Sequence, residues 1–153
     1  MSAATVHASA VLVGARAVLI RGPSGAGKSR LAWELIAAAR SGAVRFAKLV
    51  GDDRVHLQSA HGRLLVRPAD ALAGLIELRG VGIIRCDHEP CAVVALVVDL
   101  AVAAVERLPQ GDEVVVLQGV TLPRLAVAPV VAALPLVLAM ITSGGAVDVL
   151  KAT

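Results

Sequence analysis

A chain of 153 residues has the length of one compact domain and can bury a core without disulfide or metal staples. Its hydrophobic share of 57% excludes intrinsic disorder, and the abundance of Ala and Val predicts a core of small side chains. The net charge of +3 is scattered along the chain and the aromatic residues are Trp33 and Phe46 alone, which excludes nucleic-acid recognition by a basic patch or by base stacking.

Residues 1–10 carry no basic cluster and no long apolar run, so no signal peptide and a cytoplasmic location are expected. Val6–Val13 and Ala17–Arg21 read as two strands around a turn at Gly14 to Arg16. The second strand runs into Gly22-Pro23-Ser24-Gly25-Ala26-Gly27-Lys28-Ser29, which meets every term of the G-x-x-x-x-G-K-S phosphate-loop pattern. The spacing has a chemical reason. Glycines let the backbone curl until several N–H groups face one phosphate chain. The loop then opens a helix whose N-terminal dipole favours an anion. Lys28 is placed to reach the β- and γ-phosphates and Ser29 to ligate Mg²⁺, so ATP and Mg²⁺ are the expected cofactors.

From Lys28 to Arg40 the apolar residues Leu31, Leu35 and Ala38 fall on one helical face, and Ser41-Gly42 ends the helix. Lys48–Gly51 reads as a strand with Asp52-Asp53 at its end. Val55–Leu57 and Arg63–Val66 read as a hairpin around His61-Gly62. Pro68–Gly74 is loop or short helix, and Ile76–Leu78 and Gly82–Arg85 are extended around Gly80. Ala92–Leu100 is a very apolar strand. Asp112–Leu117 and Val120–Val127 follow as strands, and Val130–Thr142 as a helix. The fold class is therefore α/β, rich in strands, with one helix on the phosphate loop.

Phosphoryl transfer needs a carboxylate for the metal and often a base for the nucleophile. Two places offer one. Asp52-Asp53 follows an apolar strand, and Asp99 ends Val93–Val98 in the manner of a generic Walker B strand; on pattern alone Asp99 stands slightly ahead. Glu77 and Arg79 lie between apolar stretches, so they either pair with each other at a bend or face a ligand. Cys86 and Cys91 read as reduced thiols, and the Cys86–Cys91 segment has no common zinc spacing. Leu125–Val147 is long and uncharged, but Pro129 and Pro135 interrupt it and Gly144-Gly145 closes it. A buried strand and a core helix are expected there, with no membrane span.

Three segments together, Gly22–Ser29, Gly51-Asp52-Asp53-Arg54-Val55 and Ile76-Glu77-Leu78-Arg79-Gly80-Val81-Gly82-Ile83-Ile84, resemble the HPr kinase/phosphorylase family. The last segment resembles that family's signature and is far more specific than the phosphate loop. The resemblance runs from about Val6 to Ile141, the catalytic part of the family, without the N-terminal domain of many members. It implies a P-loop fold of the phosphoenolpyruvate carboxykinase-like type, with residues 1–153 as one kinase domain, and phosphorylation of a serine on an HPr-like phosphocarrier protein. It implies a homo-oligomer, since long members form hexamers. Residue by residue, it implies a catalytic histidine at His7, phosphate binding by Lys28, and Mg²⁺ held by Ser29 and Glu77. The base comes from the Asp pair, Asp53 in first place with Asp52 near the metal and the reverse order open. Arg79 helps fix Glu77, and Asp99 becomes structural.

The chain departs from the family in two places. Arg85 leads straight into the next strand, with no Arg or Lys before Arg107, where long members insert a catalytic arginine. Val127–Ala133 has no basic residue where the family has a segment linked to dephosphorylation. Both departures leave the kinase core in place and count against phosphorolysis. A nucleotide sensor without turnover and a kinase of a small metabolite are the alternative readings.

Overall fold

The computed structural model describes residues 4–105 and 113–142. Eleven strands and two helices run in the order β1 (Val6–His7), β2 (Ser9–Val13), β3 (Arg16–Arg21), α1 (Lys28–Arg40), β4 (Ala47–Gly51), β5 (Arg54–Ala60), β6 (Arg63–Pro68), β7 (Leu75–Leu78), β8 (Gly82–Arg85), β9 (Ala92–Asp99), β10 (Val114–Leu117), β11 (Val120–Ala126) and α2 (Ala133–Thr142). A short 3-10 turn at Asp70–Leu72 precedes β7. Nine strands form one sheet in the order β1-β5-β6-β9-β3-β2-β4, with β11 beside β9 and β10 outside it; β7 and β8 form a separate hairpin. The architecture is α/β and strand-rich, as expected. The Gly144-Gly145 pair and the first residue of the expected Asp112–Leu117 strand lie outside the described residues.

The central strands bury both faces, which explains their unbroken apolar runs. Val11, Val18, Ile20, Leu49, Leu96 and Val98 pack with Leu31 and Leu35 of α1 and Val137 of α2. Ala10, Leu19, Val50 and Val97 face the other way and meet Val55, Leu64, Val66 and Leu122. One helical layer thus covers one face, and side chains of β5, β6 and β11 cover the other.

Two boundaries differ from expectation, each for a local reason. The expected strand Val6–Val13 breaks at Ala8. β1 pairs with β5 while β2 pairs with β3 and β4, so the chain changes neighbours there, and the Ala8 N–H donates to Asp53 O at 3.2 Å. The last helix starts at Ala133 rather than Val130. Pro135 disfavours helix in the preceding turn but is tolerated in the first turn of a new one, and Val130 has a left-handed φ of 60°.

The ends of β3, β9 and β11 lie side by side and parallel, with Arg21 opposite Asp99 and Asp99 opposite Ala126. Asp99 ties them together. Its Oδ1 accepts from Arg21 Nε at 2.7 Å, and its Oδ2 accepts from Arg21 Nη2 at 2.8 Å and Arg124 Nε at 2.5 Å. Burial alone would raise the Asp99 pKa. The hydrogen bonds and charges of Arg21 and Arg124 outweigh it and hold the carboxyl below its ordinary value. Removing this partner takes the carboxylate from half-buried Arg21 and leaves Arg124 only Glu113, 3.6 Å from its Nη1. Asp99→Asn should therefore cost about 2 kcal/mol, below the range for fully buried pairs, and lower Tm by several degrees. A depressed carboxyl stabilises the fold fully above its unfolded pKa, near 3.9, and loses that contribution as pH falls through the folded value. Tm measured against pH for both proteins should show two separate curves at neutral pH that converge in acid; parallel curves would refute the assignment.

Candidate active site

The phosphate loop leaves the carboxyl end of β3, where α/β sheets place their ligands. Gly27 starts α1 with a φ of 97°, a conformation that suits glycine. No side chain caps the helix and no acid lies in its first turn, so its first N–H groups are free to face an anion. The loop root is tight: a Cβ on Gly22 would lie 3.1 Å from Leu100 Cβ, so the glycine is needed for close approach to the chain leaving β9. Lys28 is buried, and its ammonium donates to Gly22 O at 2.8 Å and Pro23 O at 3.1 Å. Burial lowers its pKa, opposed by the charges of Asp53 and Asp52. The expected phosphate-binding residues Gly22 to Ser29 are thus one curled loop with its lysine folded over it.

A cleft of about 1200 Å³ opens on this loop. His7, Lys28, Ser29, Asp52, Asp53, Glu77 and Arg79 all line it, with Ser24 to Gly27 of the loop, whereas Gly22 and Pro23 at the loop root do not. Asp99 does not line it. The carboxylate favoured on pattern alone is taken up by Arg21 and Arg124, and the generic Walker B reading is corrected on that ground.

Asp52 is buried and sits at the junction of three elements. Its Oδ1 accepts from Ser9 Oγ of β2 at 2.6 Å, and Ser29 Oγ of α1 lies 2.8 and 2.9 Å from Oδ1 and Oδ2. The Glu77 N–H of β7 donates to Oδ2 at 3.2 Å. Among the described residues no cation pairs with it, an unusual state for a buried charge. Asp53 differs from its neighbour. It turns into the left-handed region with φ 67°, its side chain is 61% exposed, and its Oδ1 lies 3.0 Å from His7 Nε2. Gly51 makes this corner possible, since a Cβ there would come within 2.8 Å of Val55 Cγ1.

Glu77 is exposed on β7, with its carboxylate side of the hairpin toward the cleft. Of the two readings open for Glu77 and Arg79, pairing at a bend and facing a ligand, the first has no counterpart among the described ion pairs. Arg79 instead reaches the phosphate loop: a Cβ on Gly25 would lie 3.8 Å from its Nη2. The hairpin turn at Gly80 and Gly82, with φ 88° and 110°, bends the chain so that the two side chains part. Cys86 and Cys91 are free thiols, and burial with the nearby Asp87 and Asp52 charges pushes the Cys86 thiol up, which leaves it a poor nucleophile. Ser9 is the residue that sequence reasoning missed. Its one signal is a hydroxyl between Ala8 and Ala10 in an otherwise apolar strand.

Comparison with known proteins agrees with this geometry. Residues 1–136 match the HPr Serine kinase C-terminal domain family. The HPr kinase/phosphorylase of Streptococcus thermophilus is 35% identical over 133 residues, and that of Streptococcus salivarius 36% over 132. These alignments cover 79% and 78% of this chain but only 41% and 40% of the relatives, so the chain spans about two fifths of their length. The solved Hpr(Ser) kinase/phosphatase of Coxiella burnetii has the same fold, with a TM-score of 0.75 at 22% identity, over 94% of this chain and 97% of that one.

A free helix N-terminus, a curled loop and a buried lysine are the parts that anion binding calls for, and binding there can be tested without any turnover. Inorganic triphosphate at a hundredfold excess over its Kd should stabilise the protein by about 2.7 kcal/mol, a rise of several degrees in Tm. The rise should shrink with added salt and vanish in Lys28→Met; an equal rise in that variant would place the anion elsewhere.

Proposed function

The chain belongs to the family of HPr serine kinase C-terminal domains, and on that premise we propose that it is an ATP- and Mg²⁺-dependent serine kinase of an HPr-like phosphocarrier protein. The observation that carries the reading is the meeting, in one cleft, of an uncapped phosphate loop with a buried carboxylate and an exposed His–Asp pair.

Each side chain has a role that its surroundings support. The loop N–H groups and Lys28 bind the triphosphate, Lys28 exchanging its two loop carbonyls for phosphate oxygens. Asp53 takes the proton of the incoming serine, because it is the exposed member of the pair, and His7 orients it through the 3.0 Å contact. Arg79, above Gly25, adds positive charge where the phosphates lie. Ser29 Oγ with the Asp52 and Glu77 carboxylates forms an all-oxygen donor set suited to Mg²⁺. Among the described residues no three acidic, His or Cys side chains form a metal cage. That fits an ion that arrives with the nucleotide and keeps phosphate ligands. When bound, the ion supplies positive charge that offsets the phosphate oxygens.

The same reading makes residues 1–153 one kinase domain of the phosphoenolpyruvate carboxykinase-like P-loop type, working in the cytoplasm as a homo-oligomer. Exposed Val81, Ile83, Val114 and Val116 are the kind of apolar surface an assembly covers. The proposal is limited to forward transfer, since Val127–Ala133 brings no basic residue to the cleft wall.

The test is to incubate the protein with ATP, Mg²⁺ and an HPr-type carrier and weigh the intact carrier. A gain of one phosphoryl group on serine is expected, with the rate reduced at least about a hundredfold in Asp53→Asn, the usual weight of general-base assistance. An unmodified carrier in the presence of bound ATP would reject the carrier-kinase reading in favour of a sensor or a kinase of another substrate.

A further inference from the structure

Asp52 does not hold its own position, and the residue behind it has no assigned role. Ser9 is fully buried in β2, opposite Ile20 of β3 and on the α1 side of the sheet, where the other facing residues are apolar. A hydroxyl in such a place costs stability unless it is bonded. Its 2.6 Å bond to Asp52 Oδ1 is the contact that satisfies it. The register supports this aim. Ala10 pairs with Gly51 but Val11 pairs with Leu49, so β4 carries one extra residue, Val50, two positions before Asp52. Such a bulge bends the strand and re-aims the side chain that follows. Here it puts Asp52 on the same side of the sheet as Ser9.

We propose that Ser9 is a positioning residue that fixes the Asp52 carboxylate, and through it the Ser29 hydroxyl, for a divalent cation. The geometry is a relay. Ser9 holds Oδ1 from behind and the Glu77 N–H holds Oδ2, which together set the carboxylate plane. Ser29 spends its single proton on that carboxylate, so its oxygen lone pairs turn to the cleft. Without Ser9, the carboxylate loses the bond that sets its rotation. Metal affinity depends on such outer partners nearly as much as on the ligands.

This inference rests on the proposed nucleotide and metal site, and the experiment separates the two. Mn²⁺ is titrated into the full chain with a non-hydrolysable ATP analogue, and free Mn²⁺ is read by electron paramagnetic resonance. Ser9→Ala should weaken Mn²⁺ binding about tenfold, the usual effect of an outer-shell partner, while Ser9→Thr, which keeps the hydroxyl, stays near wild type. In an Asp52→Asn background Ser9→Ala should change nothing further. Ser9→Cys keeps the volume with a weak donor, and provides a second loss variant should the alanine protein fold poorly. Lowered Tm with unchanged Mn²⁺ affinity in the loss variants would overturn the positioning role and leave the site reading intact. A wild-type chain that binds the analogue but no Mn²⁺ would overturn both.

Discussion

A buried charge must be solvated by the protein, and the Asp52 carboxylate obliges four parts of this chain to meet. Ser9 of β2, Ser29 at the start of α1 and the Glu77 N–H of β7 all donate to it. Those donors come from 43 residues before it, 23 residues before it and 25 residues after it. Only a fold that closes those separations can bury the carboxylate without a large desolvation cost. The phosphate loop, β2 and the β7–β8 hairpin are therefore registered against one another by a single group. Any loosening of one contact is felt at the others, since a half-satisfied network is worse than none.

Asp99 gives the contrasting case of what a carboxylate does when cations reach it first. It ends an apolar strand beside the phosphate-loop strand, the place where generic nucleotide-binding folds keep their metal-binding acid. Arg21 and Arg124 close on it from the two neighbouring strands. Its backbone carbonyl also accepts the Val127 N–H at 2.8 Å, and the Leu100 N–H donates to Arg21 O at 2.8 Å. The three strand ends are thereby locked where the phosphate loop and the 127–133 wall leave the sheet. Two acids at two strand ends divide the work: Asp99 is paired with arginines and holds the fold, while Asp52, in no ion pair among the described residues, lines the cleft.

The limits of sequence reading follow from the same physics. The phosphate loop and α1 were legible because glycine spacing and helical period are local properties; α1 spans Lys28–Arg40 as the periodicity requires. The β5–β6 hairpin and the β7–β8 turn were legible for the same reason, in turn glycines. The break at Ala8 was not, because it arises from a change of partner strand that no local pattern records. Asp99 against Asp52 was not decided by pattern either. The choice depends on Arg21 and Arg124, which lie 78 and 25 residues from Asp99 in the chain. Ser9 was invisible because one serine in an apolar strand has no period and no motif. Whether Glu77 and Arg79 pair or face a ligand was left open for a related reason: two residues apart in a straight strand share a face, but Arg79 already lies in the turn at Gly80.

The adjacent pair Asp52-Asp53 left its own order open in the sequence, and the backbone supplies an argument for it. Successive side chains of an extended chain point to opposite sides, and the left-handed turn at Asp53 sharpens that divergence. One carboxylate goes inward to hydroxyl and amide donors, the other outward to His7 and solvent. A proton acceptor has to meet a hydroxyl arriving from outside, which the inward carboxylate, 3% exposed, cannot do without breaking its donors. A metal-binding oxygen needs the reverse: a fixed direction and charge kept in place by neighbours that do not neutralise it. Two neighbouring groups of the same chemistry are thus separated by environment alone, which supports the proposed roles of Asp53 as base and Asp52 as metal-side carboxylate.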